Sequence, residues 1–314
     1  MGTILKAGRA WRRPVCAAVV VGLTVVVAAT VVDSGPAAAN GRTRLEVVAA
    51  ENFWGSIVKQ LAGSRASVSS VITNPNTDPH DYEPKPSDGR AIASARYVIE
   101  NGIGYDTWVQ KLLDASPDSS RRVLNVGDLL GVKAGGNPHQ WYSPASVDRF
   151  VERVASDLET LDAKNAAYYE AQKAKFEATR LAEYHALIAA INQKYAGTPV
   201  GASESIFSPL AAALGLHLVT PESFLDAVAE GTDPTGADKA TVDRQIQNKE
   251  IKVFVFNSQN ATPDVQTLVK AAKAHGIPVT TVTETLAPAS ASFQTWQVKQ
   301  LRELDAALAK ALRS

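Results

Sequence analysis

The strongest constraint on the fold is a repeated alternation between short β-rich runs and amphipathic helical runs, which begins near residue 44. In the first part of the chain, four runs are rich in β-branched and apolar residues and are predicted to be strands. They are residues 45–50, 66–73, 97–100 and 123–126. Runs with helical spacing lie between them. Such alternation is typical of a parallel sheet with helices on its faces, so we predict an α/β fold.

A long helical segment follows this first α/β part. Residues 143–161 carry an apolar stripe at helical spacing, and Asp162 can cap a further helix. That helix runs to about residue 193 without a Pro or a Gly, which is long for a globular protein. A helix of this length can act as a rigid strut between two halves, although it can also simply pack on one of them.

The alternation resumes after the helix. Strands are predicted at residues 200–203, 217–220, 251–256 and 279–283, and a last helix begins at Ser292 or Thr295. A chain of 314 residues is also long for one hydrophobic core. We therefore predict two lobes, each with a parallel sheet flanked by helices. Their expected boundaries are 40–161 and 195–314, joined by a single linking helix over 162–194.

The first 39 residues differ from the rest of the chain. Four basic residues precede an apolar run at 15–32, which leads to an Ala-x-Ala site ending at Ala39. This pattern is typical of a secretory signal peptide cleaved after Ala39, and the alternative is a retained membrane anchor. Cys16, the only cysteine, lies in this leader, so the mature chain offers no thiolate ligand and no disulfide.

Charge and motif content exclude two function classes. Lys and Arg together number 32, as do Asp and Glu, so the basic excess expected of a nucleic-acid-binding protein is missing. The mature sequence has no His-Glu-x-x-His motif, no Gly-x-Ser-x-Gly motif and no cysteine nucleophile. We therefore do not expect an enzyme. A metallohydrolase would need a metal with an open position for water and a nearby general base.

Four side chains stand out because each follows a predicted strand. They are His80, His139, Glu204 and Glu284. Ligands of open parallel sheets bind beyond the carboxyl ends of the strands, so residues from both halves can meet in a cleft between the lobes. Two imidazoles and two carboxylates suit a divalent transition metal. Loop histidines are often only surface residues, and an amide from Asn257 or Gln259 is an alternative to Glu284.

Two sequence motifs carry a resemblance to a known family. Residues 78–88 read DPHDYEPKPSD and residues 137–144 read NPHQWYSP. They resemble the first two ligand motifs of the zinc- and manganese-type solute-binding proteins of ABC importers. The resemblance covers nearly the whole mature chain. It implies that His80, His139 and Glu204 are ligands and that Glu284 stands where the family often has Asp.

The resemblance also implies a fold and a function. The family fold has two α/β lobes joined by one long helix, with the metal bound between them. The implied function is capture of Zn or Mn outside the cytoplasmic membrane and delivery to the membrane permease of an ABC importer. The metal is then the cargo, no nucleic acid is involved, and a monomer is expected. A metal-dependent surface adhesin is the alternative with the same fold.

Overall fold

Two four-stranded parallel sheets form the framework of the computed structural model, which describes residues 44–75, 77, 79 and 82–313. The first sheet comprises β1 (Leu45–Glu51), β2 (Ala66–Ile72), β3 (Tyr97–Glu100) and β4 (Arg122–Asn125). The second comprises β5 (Pro199–Ala202), β6 (His217–Leu218), β7 (Val253–Asn257) and β8 (Val279–Val282). The predicted α/β fold with two lobes is confirmed. The predicted leader, residues 1–39, lies outside the described residues.

Both sheets have the same strand order, and this order determines where a ligand can bind. The orders are β2-β1-β3-β4 and β6-β5-β7-β8, with every neighbouring pair parallel. In each sheet the chain goes to one side of its first strand and then returns to the other side. Such a switch in strand order opens a crevice at the carboxyl ends of the two central strands.

The helices of the first lobe cover its sheet and lead towards the linking segment. They are α1 (Asn52–Ala62), α2 (Pro86–Ser94), α3 (Thr107–Ala115), α4 (Val126–Leu130) and α5 (Pro144–Leu161). α4, which has five residues and directly follows β4, was not predicted from the sequence. The side chain of Asn125 caps it by accepting the backbone N–H of Asp128 at 3.0 Å.

Residues 162–194, predicted to form one linking helix, are helical but do not form one uniform α-helix. A 3₁₀ turn at Ala163–Asn165 precedes α6 (Ala166–Lys175), and a π turn at Phe176–Arg180 separates it from α7 (Ala182–Tyr195). In the π turn, the N–H of Leu181 bonds to the carbonyl of Phe176, five residues earlier, at 3.0 Å. Both side chains are buried. The wider turn therefore lets residues five apart face the same core.

Five helices belong to the second lobe. They are α8 (Ser208–Ala213), α9 (Glu222–Ala229), α10 (Gly236–Gln247), α11 (Pro263–Ala274) and α12 (Phe293–Ala311). α10 begins after Thr235, whose hydroxyl caps the helix by accepting the N–H of Asp238 at 3.1 Å. α12 begins after Ser292, the first of the two predicted starts, and its hydroxyl accepts the N–H of Thr295.

One hydrophobic core runs through both lobes. It includes Trp54 of α1, Val200 of β5 and Leu301 of α12, while two smaller clusters lie on the sheet faces away from it. Residues 43–314 accordingly form one compact unit, so the lobes are parts of a single body. Among the described residues, each helix is either too short or too polar to cross a membrane.

Candidate metal centre

Three of the four predicted ligands lie together between the two sheets. His139 is in the loop after α4, Glu204 follows β5 and Glu284 follows β8. The Nε2 atom of His139 lies 3.5 Å from Oε1 of Glu284. The three residues are 0%, 1% and 8% exposed, so none is an ordinary surface residue. His80, the fourth predicted ligand, lies outside the described residues.

The amide of Asn257 connects the two carboxylates. Asn257 is the last residue of β7, and its Nδ2 donates to Oε1 of Glu204 at 2.5 Å and to Oε1 of Glu284 at 2.9 Å. Its Oδ1 accepts the backbone N–H of Gln259 at 2.9 Å, which fixes the amide with its nitrogen towards the carboxylates. Asn257 thus holds the two predicted ligands together, and its oxygen faces the other way.

The oxygen of Gln259, the other amide considered as a ligand, is also engaged elsewhere. Gln259 Oε1 accepts the backbone N–H of Thr285 at 2.9 Å, and its Nε2 donates to the Thr285 hydroxyl at 3.2 Å. These bonds hold the backbone next to Glu284. Gln259 therefore stabilises the loop that carries Glu284.

Each remaining carboxylate oxygen also accepts a hydrogen bond. Asn260 Nδ2 donates to Oε2 of Glu204 at 2.8 Å, and the hydroxyl of Tyr105 donates to Oε2 of Glu284 at 2.9 Å. Tyr105 belongs to the first lobe and is 1% exposed. Its bond to Glu284 therefore crosses the boundary between the lobes inside the protein.

The histidine loop also reaches across to the second lobe. Asn137 Oδ1 lies 2.9 Å from Nδ1 of His139, and Asn137 Nδ2 donates to the carbonyl oxygen of Ser205 at 2.7 Å. Further along the loop, the Tyr142 hydroxyl accepts the N–H of Thr283 at 3.2 Å. Ser205 and Thr283 are neighbours of Glu204 and Glu284 in sequence, so the loop of His139 contacts both carboxylate loops.

The two carboxylates share a poorly hydrated environment. Burial raises the pKa of Glu204 well above its ordinary value, and the nearby charge of Glu284 raises it further. His139 and the two asparagine amides oppose this shift only in part. Two carboxylates held this close favour any species that brings positive charge between them, and a divalent cation does so most effectively.

A cavity of about 630 Å³ leads to His139 from the surface. Along one side it is lined by Glu222, Asp226 and Glu230, which lie four residues apart on and just after α9. Within the described residues, the lining contains no Lys and no Arg. The approach to the site is therefore acidic, which attracts cations and repels anions.

Two residues of this site, Asn137 and Tyr105, were not predicted from the sequence. Asn137 stands within a motif that was noted only for its histidine, and Tyr105 follows β3 at the same edge of the sheet as the other loops. A polar residue after a central strand was a usable signal for Tyr105. Among the described residues, no group of three His, Cys, Asp or Glu side chains is placed to hold a metal ion, and the amide of Asn257 bonds to both carboxylates.

Curated relatives are metal-binding proteins by name. The chain is 32% identical over 132 residues to the manganese-binding lipoprotein MntA of Halalkalibacterium halodurans, covering 40% of this chain and 43% of that protein. It is 28% identical over 161 residues to the manganese ABC transporter substrate-binding lipoprotein PsaA of Streptococcus mitis, covering 47% and 52%. These matches thus span about half the length of the relatives.

Solved structures share the fold over nearly their whole length. A crystal structure of ZnuA matches with a TM-score of 0.66 at 21% identity, covering 85% of this chain and 99% of that one. A mutant, Mn-bound periplasmic metal-binding protein from Candidatus Liberibacter asiaticus matches with a TM-score of 0.71 at 17% identity, covering 83% and 98%. The model of the family described as "zinc-uptake complex component A, periplasmic" matches residues 47–307. The chain therefore belongs to this ZnuA family.

Proposed function

We propose that this protein is an extracytoplasmic receptor that captures a divalent transition-metal ion and delivers it to the membrane permease of an ABC importer. The observation that carries the proposal is the buried group of His139, Glu204 and Glu284, drawn from both lobes and joined by one hydrogen-bond network. The relatives named for manganese binding support the same function.

The proposed ligand set is His80, His139, Glu204 and Glu284. Two imidazoles and two carboxylates suit either Zn or Mn, because imidazole favours the softer ion and carboxylate the harder one. Four protein ligands also leave no open position for a reacting water, which favours a carrier over a hydrolase. The metal is cargo in this proposal, so the site must both bind it and release it.

Three further features belong to the proposal. Residues 1–39 direct export and are removed, so the receptor acts outside the cytoplasmic membrane. The lobes extend over 40–161 and 195–314, and the linking helix over 162–194. This division is supported by the first sheet ending at Asn125 and the second beginning at Pro199. The protein acts as a monomer. The alternative function, an adhesin of the same fold, would not require reversible metal binding.

The proposal is tested by titrating metal-stripped protein with Zn²⁺ and Mn²⁺ against a competing chelator. The parent should bind one ion. His80→Ala and His139→Ala should each weaken binding by at least about 10–100-fold, the range for loss of a supporting residue, because each removes a direct donor. Sequencing the N-terminus of the exported protein tests the leader, and a start near Asn40 is expected.

His217→Ala is the matched control. His217 is exposed and begins β6, so it lies at the edge of the sheet opposite the proposed site. Its loss should leave the affinity unchanged. Parent-like binding in both His80→Ala and His139→Ala would show that the proposed site is wrong, and a parent that binds neither metal would contradict the proposed receptor function.

A further inference from the structure

The side-chain amide of Asn137 contacts both His139 and the loop that carries Glu204. Its Oδ1 accepts the backbone N–H of His139 at 2.9 Å and lies 2.9 Å from the imidazole Nδ1. Its Nδ2 donates a hydrogen bond to the carbonyl oxygen of Ser205 at 2.7 Å. The backbone partners fix the amide orientation, since one can only donate and the other can only accept.

The oxygen of this amide selects the tautomer of His139. An amide oxygen accepts hydrogen bonds and cannot donate them, so the imidazole nitrogen facing it must carry the proton. His139 is then protonated at Nδ1 and keeps its lone pair on Nε2. That Nε2 is the atom 3.5 Å from Glu284, and therefore the one that faces the carboxylates.

The nitrogen of the same amide positions the second lobe. Ser205 directly follows Glu204 and is 4% exposed, so its carbonyl is held in the interior. Asn257 connects Glu204 to Glu284, which in turn lies beside His139. The contacts thus form a closed ring from His139 through Asn137, Ser205, Glu204, Asn257 and Glu284. Asn137 is the link in this ring that joins the histidine loop to the Glu204 loop.

We propose that Asn137 is a positioning residue for metal capture, which presents the lone pair of His139 Nε2 and sets the distance between His139 and Glu204. This inference rests on the proposed function. Free imidazole populates both neutral tautomers, and Nε2 cannot bind a metal whenever it carries the proton. Because Asn137 fixes the tautomer and the lobe contact before metal arrives, His139 itself needs little rearrangement on binding.

Two substitutions separate these two tasks. Asn137→Leu has nearly the same size but removes both the acceptor and the donor. Asn137→Asp keeps an acceptor for His139 and replaces the donor to Ser205 with an oxygen. Asn248→Leu is the matched control, because Asn248 is exposed and its amide bonds only to exposed Glu250 among the described contacts.

The direct measurement is the ¹⁵N spectrum of the imidazoles in metal-free protein, at a pH where His139 is neutral. Comparison with His139→Ala assigns its signals among the five histidines. Parent and Asn137→Asp should show His139 protonated at Nδ1, whereas Asn137→Leu should show a mixture of tautomers. Metal affinity should fall about 10–100-fold in Asn137→Leu. Asn137→Asp should lie between Asn137→Leu and the parent.

Each outcome decides the inference. A single Nδ1-protonated His139 in folded Asn137→Leu, with parent affinity, would overturn it. If Asn137→Leu does not fold, the aspartate variant still decides, because an Nε2-protonated His139 or an unchanged affinity there contradicts the proposed role. The tautomer is measured without metal, so it tests Asn137 separately. A parent that binds no metal would refute the proposed function instead.

Discussion

Glu284 is the proposed ligand whose environment is shaped most by the opposite lobe. The hydroxyl of Tyr105 and the amide of Asn257 donate to its two oxygens, and His139 lies beside one of them. A carboxylate with both oxygens already hydrogen-bonded is held in one orientation. Its reach towards a metal is then set by these neighbours and not only by its own side-chain length.

Glu284→Gln should weaken Mn²⁺ binding more than Zn²⁺ binding. The amide keeps the size of the side chain and loses its charge, and the harder ion depends more on anionic oxygen. Competition titrations with both metals measure the two losses. Glu170→Gln, a change on the exposed face of α6, should alter neither affinity. Equal losses of affinity for both metals would indicate that Glu284 acts only through its charge near the site and not as a ligand.

The sequence contained the proposed ligands but not the contacts between them. Glu204 and Glu284 could be selected because each directly follows a strand, and the structure brings them together with His139. The bond between Tyr105 and Glu284 joins residues 179 positions apart. Local patterns carry no information about such a pair, since it exists only after both sheets have packed on one core.

At the scale of elements, two groups of acidic residues have different roles: one lies on and just after α9, and the other is buried in the first lobe. The row of Glu222, Asp226 and Glu230 lines the approach to His139. In the first lobe, three further acids are buried: Glu51 and Glu100 end β1 and β3, and Asp106 precedes α3. The acids of the row can act on an approaching ion, whereas the three buried carboxyl groups affect the stability of the fold.

Neutralising the row by Glu222→Gln, Asp226→Asn and Glu230→Gln together should slow metal association about tenfold at low salt, at the lower end of known electrostatic effects. The dissociation rate should stay the same, because none of the three is a proposed ligand. Stopped-flow measurements at rising ionic strength check this, and the difference should shrink as salt screens the charges. Neutralising Glu170 and Glu177, exposed acids of the linking segment, is the control.

The buried acids predict an unusual pH dependence of stability. Burial raises the pKa of Glu100 to about 7 and that of Asp106 to about 6. Burial, with the nearby charge of Asp106, also raises the pKa of Glu51 well above its ordinary value. The folded state therefore binds more protons than the unfolded state between about pH 4 and 7. The metal-free protein should lose stability as the pH rises through this window.

Glu51→Gln should reduce this loss and raise the melting temperature of metal-free protein near pH 8, because a neutral amide replaces a buried acid whose charged form the folded interior disfavours. Thermal melts from pH 4.5 to 8 measure it. Glu46→Gln is the control on the same strand, since Glu46 is exposed. A parent whose melting temperature rises steadily over this range would contradict the prediction.

For the whole molecule, metal binding should oppose the pH trend of the metal-free protein. A ligand that binds only the folded state adds about 4 kcal/mol of stability at a thousand times its dissociation constant. The melting temperature should therefore rise with saturating Zn²⁺ or Mn²⁺ and fall again with a chelator. A melting curve that saturating metal does not shift would contradict the proposed receptor function.

Acid should release the metal. The metal must displace the proton that the raised pKa favours on Glu204, and it needs a neutral His139, so metal and protons compete for the same atoms. Affinity should fall as the pH drops below about 8, the raised pKa of Glu204, as measured by chelator competition at each pH. His139→Ala should show a shallower fall, because it has lost one of the competing groups. A flat profile in the parent would remove both residues from the site.

α12 determines when the packing around α1 can be completed during synthesis. The N–H of Phe293, the first residue of α12, donates to the Ser56 hydroxyl at 2.9 Å, and Gln294 pairs with Gln60. These contacts join positions more than 230 residues apart. Contacts so distant along the chain form slowly, and α1 cannot be covered before the last helix has emerged. In the nascent chain, α1 therefore stays incompletely packed until α12 has been synthesised, so most of the chain must wait for a segment made late.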